Sequence, residues 1–152
     1  RQIEAGAEAV QIFDSWAGDI SDDEFENWCV KPTQKIVSDL KANSPDVPVI
    51  GFPRKAGENI VGFIKQTKID AVSLDTDVPL EWARDQVQTL CPVQGCLDPD
   101  ILIEGGEILR EEVETLLDIF AKKPYIFNLG HGIKPQTPPE HVDEVIQLIR
   151  NR

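Results

Sequence analysis

Five short apolar runs, each rich in β-branched or aromatic residues, recur along the chain, and each is followed by turn residues and then by a helical pattern. They are Ala9 to Asp14 (AVQIFD), Val47 to Pro53 (VPVIGFP), Ile69 to Asp75 (IDAVSLD), Leu90 to Leu97 (LCPVQGCL) and Tyr125 to Gly130 (YIFNLG). Repetition of this kind marks βα units, and the nearly continuous apolar character of the runs predicts parallel strands buried on both faces. The clearest helical pattern spans Gly106 to Lys123, where Leu109, Val113, Leu116, Leu117 and Phe120 form one stripe opposite an acidic face. Ser21-Asp22-Asp23-Glu24 and Thr137-Pro138-Pro139-Glu140 each place a carboxylate three residues after a hydroxyl, and so predict helix starts. A proline ring costs a helix one hydrogen bond, so Pro32 predicts a short helix from Asp22 to Val30 and a second from Pro32 to Ala42. Val142, Val145, Ile146 and Ile149 supply the buried face of a closing helix.

A closed barrel of eight βα units takes about 250 residues. Five units in 152 residues therefore suit either the later part of such a barrel or an open doubly wound sheet. The open sheet predicts a Gly-rich phosphate turn after an early strand, and no G-x-G-x-x-G occurs, which tips the balance toward the barrel. Ile3 to Ala7 reads as the end of a helix capped by Gly6, and the chain contains no Met. Residues 1–152 are accordingly expected to be the C-terminal portion of one barrel domain whose N-terminal part precedes Arg1.

Composition narrows the function classes. A hydrophobic fraction of 41% and a charged fraction of 28% are those of an ordinary globular protein. The formal charge of −12, from 27 acidic and 15 basic residues with no basic cluster, argues against a nucleic-acid surface. No apolar stretch approaches the roughly 18 residues of a membrane-spanning helix. Three cysteines, Cys29, Cys91 and Cys96, are too few and scattered for a disulfide framework, so a soluble intracellular protein is expected.

In βα architectures chemistry gathers just after the strands. The segments there are Asp14 to Gly18, Arg54 to Gly57, Asp75 to Asp77, Gly95 to Pro99 and Gly130 to Gly132. His131 stands between two glycines directly after an apolar run, and its imidazole suits carboxylate binding or proton exchange at the rim. Ser15 offers a hydroxyl to a polar substrate group, or else caps a turn; no G-x-S-x-G elbow surrounds it. Asp14 and Asp75 divide evenly between substrate contact and capping, while Asp98 before Pro99 reads as a helix cap. His141 is expected on the surface, and Trp16, Trp28 and Trp82 in packing roles. A zinc site from the thiols is disfavoured, because Cys91 and Cys96 lie an odd five residues apart in one strand region.

Three segments together, Gln11 to Gly18 (QIFDSWAG), Val93 to Pro99 (VQGCLDP) and Phe127 to Gly132 (FNLGHG) with Thr137-Pro138-Pro139-Glu140 after it, resemble the uroporphyrinogen decarboxylase family through essentially the whole chain. The resemblance implies a (β/α)8 TIM barrel, of which these are the last five units. It also implies decarboxylation of the four acetate side chains of uroporphyrinogen III to coproporphyrinogen III in haem biosynthesis, with no metal and no cofactor. Ser15 matches the family's carboxylate-binding serine, and His131 matches its histidine at the cleft, a substrate-binding and catalytic candidate. The family's two substrate arginines, its pyrrole-binding aspartate and its cleft tyrosine have no match after Arg1, so the 152 residues alone are expected to be inactive. Two departures stand out: Cys96 where Asn is usual and Lys55 where Gly is usual. The family further implies a homodimer, in the cytoplasm or, in a plant or alga, the plastid. The related zinc- and corrinoid-linked methyltransferase barrels are the alternative reading.

Overall fold

The computed structural model describes residues Arg1–Arg152. Five strands form one sheet in sequence order: β1 (Val10–Asp14), β2 (Val49–Pro53), β3 (Ala71–Ser73), β4 (Val93–Gln94) and β5 (Tyr125–Ile126). Every neighbouring pair is parallel, as the βα repeat predicts. Helices connect them: α1 (Asp22–Phe25) and α2 (Lys31–Asn43) after β1, α3 (Asn59–Thr67) after β2, α4 (Leu80–Trp82) after β3, α5 (Pro99–Glu104) and α6 (Gly106–Phe120) after β4, and α7 (Pro139–Arg150) last. No helix is long and apolar enough to cross a membrane.

Register and side-chain alternation sort the sheet into two faces. Val10, Ile12, Val49, Val72, Val93 and Tyr125 turn outward to the helices, where Phe63 and the α6 stripe Leu109, Val113, Leu116, Leu117 and Phe120 join them in the core. Each fully buried side chain of that stripe stabilises the fold by about 1.5–3 kcal/mol. Gly51 is the close-approach point, since a β-carbon there would lie 2.7 Å from Ile69 and 2.8 Å from Phe63. The other face carries Gln11, Phe13, Phe52, Ser73, Gln94 and Ile126. Gln94 is buried there and donates to Gln11 Oε1 at 3.1 Å and to Ser73 Oγ at 3.2 Å. Burial on both faces, expected from the apolar runs, holds only at the centre of the sheet. Five strands do not close on themselves, and Phe13 at the β1 edge stays 67% exposed.

Several local expectations come out as hydrogen bonds. Glu24 accepts from the Ser21 N–H at 3.0 Å and from its hydroxyl at 2.7 Å, and Asp98 Oδ1 accepts the Asp100 N–H at 2.7 Å. Gly6, with φ +101°, closes a turn in which Ala7 N–H bonds to Gln2 O and Gly6 N–H to Ile3 O, the paired bonds of a helix C-terminal cap.

Four expectations are corrected. Pro32 does not divide two helices: a π-helical stretch, Glu26–Val30, joins α1 to α2, and its wider turn accommodates the missing proline N–H. Thr137 does not cap α7. A residue before proline is held out of helical geometry, so Pro138 becomes the last non-helical residue, and the Thr137 hydroxyl is buried without a partner. His141 is half-buried rather than freely exposed; its ring lies where a side chain at Gly105 would be, and Nδ1 sits 2.9 Å from Leu102 O at the end of α5. Trp16 and Trp28 do not pack, being 72% and 71% exposed, whereas Trp82 does lean on the core.

Candidate active site

Parallel strands bring all five βα loops to one rim, and glycines stitch neighbouring loops together there. A β-carbon on Gly18 would lie 2.3 Å from Lys55 O, one on Gly95 2.6 Å from Leu74 O, and one on Gly130 2.8 Å from Thr76 N. Only residues lacking a side chain permit these approaches. Lys55 occupies the left-handed region at φ +59°, a conformation that favours glycine. Its backbone N–H consequently points across to Asp75 Oδ2 at 2.5 Å, and Asp75 Oδ1 accepts from Asp77 N–H at 3.1 Å. Asp75, weighed evenly in the sequence, is buried and spends both oxygens on backbone, so it braces the rim.

Asp14 follows the outward alternation of Ile12 and lies beside Cys29. Burial, and then the Asp14 carboxylate, push the Cys29 thiol up to about 12. Burial likewise raises Cys96 to about 12 and Cys91 to about 11. The three thiols belong to a helix, a β4 approach and a rim loop, and they form no common cluster.

Ser15 and His131 stand at opposite ends of the five-strand arc on the same rim, both exposed. Ser15 continues the inward alternation of Gln11 and Phe13. His131 is carried by a loop that Leu97 and Leu129 pair like a strand and that the Gly130 N–H fastens to Leu97 O at 2.8 Å. The Gly132 N–H donates to His131 Nδ1 at 2.6 Å, which leaves Nε2 as the ring nitrogen free for another partner. The structure thus brings both residues to one rim but not into contact.

A cleft of about 540 Å³ lies over the first three loops, lined by Asp19, Lys55, Glu58, Asp75, Asp77 and Trp82 among others. Four carboxylates against one ammonium suit it poorly to an anion, and neither Ser15 nor His131 lines it. The inward side of the rim is the better candidate. Arg54, which the sequence marks only as part of a rim segment, is a cation there. Its signal was a basic residue two positions beyond an inward-facing Phe in an acidic chain.

The uroporphyrinogen decarboxylase (URO-D) family model matches residues 1–152. Among curated relatives, the protein named uroporphyrinogen decarboxylase in Rhodospirillum rubrum is 52% identical over 149 residues, covering 98% of this chain and 43% of the relative. Those of Paracoccus denitrificans and Cereibacter sphaeroides are 47% and 46% identical over 149 and 154 residues, covering 98% and 100% of this chain and 44% and 45% of the relatives. The chain therefore spans 43–45% of the length of these relatives.

Proposed function

The chain belongs to the uroporphyrinogen decarboxylase family, and from that premise we propose that the full-length protein removes the four acetate carboxyl groups of uroporphyrinogen III to give coproporphyrinogen III. The observation that carries the proposal is the match through all 152 residues, with the two residues that the family resemblance assigns to substrate on one rim. In this reading the five units are part of a (β/α)8 barrel, and the concave face that Phe13 leaves open is continued by further strands.

The chemistry needs no metal or prosthetic group. Protonation of a pyrrole carbon beside the acetate arm makes the ring an electron sink. The bond between the methylene and the carboxylate then breaks, carbon dioxide leaves, and its electron pair neutralises the ring as an exocyclic methylene; a proton delivered to that methylene makes the methyl group, and loss of the proton first placed on the ring carbon restores the pyrrole, so one proton is consumed for each carbon dioxide released. His131 keeps Nε2 free of the loop's own hydrogen bond, and there it holds a carboxylate and serves the proton transfers, while Ser15 holds a second polar arm. The substrate arginines and pyrrole-binding aspartate of the family have no match among these residues, so the 152 residues alone give no turnover. The full-length protein acts as a homodimer in the cytoplasm.

Full-length protein given uroporphyrinogen anaerobically, with products oxidised and separated by carboxylate number, tests the proposal. Stepwise loss of four carboxylates is expected. An unchanged octacarboxylate, from protein shown to be folded, overturns it.

A further inference from the structure

Arg54 is the one arginine on the inward side of the rim, and it has no partner. Its Nε is buried and bonds to nothing, and none of the eight ion pairs includes it, in a chain of net charge −12. Two of the rim carboxylates are committed elsewhere: Asp75 to the backbone of Lys55 and Asp77, Asp14 to the side of Cys29. An unpaired, half-buried guanidinium is costly to keep, and structural arginines avoid the situation by finding a carboxylate.

Its placement explains the cost. β1 and β2 run in register with Phe13 beside Phe52 and Asp14 beside Pro53, and the two Phe rings meet edge to face on the concave side at 6.1 Å. The ladder continues one step, with Arg54 N–H donating to Asp14 O at 3.0 Å. Alternation therefore sets Ser15 and Arg54 side by side, one layer above the Phe pair and facing the same way. A hydroxyl next to a forked guanidinium over an apolar floor matches a carboxylate on a flexible arm of a largely apolar ring.

We propose that Arg54 is a substrate-binding residue that, with Ser15, grips one side-chain carboxylate of the polycarboxylate substrate; this rests on the decarboxylase reading for the identity of that substrate. The test uses full-length enzyme with Arg54→Met and Arg54→Lys, measuring KM and kcat for uroporphyrinogen, binding of uroporphyrin by fluorescence titration, and Tm. Arg54→Met is expected to raise KM and weaken uroporphyrin binding about tenfold or more while Tm stays level or rises, and Arg54→Lys to recover most of the affinity. Unchanged KM and binding in Arg54→Met, or a fall in Tm that Arg54→Lys does not restore, overturns the assignment while leaving turnover by the wild type intact. Wild type that binds uroporphyrin through Arg54 yet releases no carbon dioxide would instead overturn the decarboxylase reading alone.

Discussion

The backbone N–H of Lys55 lies 2.5 Å from the Asp75 carboxylate, so a residue on the loop after β2 is held by a side chain at the end of β3. Asp75 also accepts the Asp77 N–H and is 6% exposed, so truncation strands two donors in a region that water reaches poorly. Asp75→Ala is expected to cost about 3 kcal/mol, and Asp75→Asn, which keeps one acceptor oxygen, about 1 kcal/mol. Denaturant unfolding of the full-length enzyme measures both. A loss for Asp75→Ala under about 1 kcal/mol would mean that the loops hold their shape without the carboxylate.

Lys55 itself is under backbone strain. A side chain at φ +59° costs about 1 kcal/mol relative to glycine, so Lys55→Gly is expected to raise Tm by about 2–4 °C with the rim otherwise unchanged. Gly18→Ala acts in the opposite direction, since its new β-carbon meets Lys55 O at 2.3 Å and forces the first two loops apart at a cost of about 2 kcal/mol. In the double variant the contact with the Lys55 β-carbon is gone, but the clash with the backbone carbonyl of residue 55 remains. Rescue of Gly18→Ala by Lys55→Gly would therefore contradict this geometry.

What was legible in the sequence was decided by neighbours in the chain. The five runs, the α6 stripe, the Ser21 and Asp98 caps and the Gly6 turn each depend on residues within a few positions of one another. What was misread depended on distant ones. The π-helical stretch spares Pro32 a break because Cys29 and Val30 are anchored in the core, and His141 is half-buried against Gly105, 36 residues away in sequence. The site follows the same division. Ser15 and His131 were legible from their segments, but the commitment of Asp75 to backbone, and with it the isolation of Arg54, needed the loops brought together.

The thiols give a prediction with a definite sign. Cys29 and Cys96 sit near 12 and Cys91 near 11, all raised chiefly by burial, so the folded protein holds these protons more tightly than the unfolded chain. Stability contributed this way is complete below the ordinary thiol range and falls as pH rises from there toward 11 and 12. Alkylation of native full-length enzyme near pH 8 is expected to be slow at all three, with Cys91, half-buried and least raised, labelled first. Mass spectrometry of peptides after timed labelling checks the order. Rapid labelling of Cys29 or Cys96 ahead of Cys91 would refute it.

His131 allows its two proposed roles to be separated. With Nδ1 engaged by the Gly132 N–H, Nε2 is the ring nitrogen left for a substrate, as a hydrogen-bond partner or in proton exchange. Glutamine carries its amide at about the reach of Nε2 and donates a hydrogen bond, but it cannot exchange a proton near neutral pH. His131→Gln is therefore expected to lower kcat about 100-fold while KM stays within about threefold, whereas His131→Ala loses both functions and raises KM as well. Steady-state kinetics of the full-length variants on uroporphyrinogen decides the matter. If His131→Gln keeps near-normal kcat, the residue grips a carboxylate and the protons travel by another group.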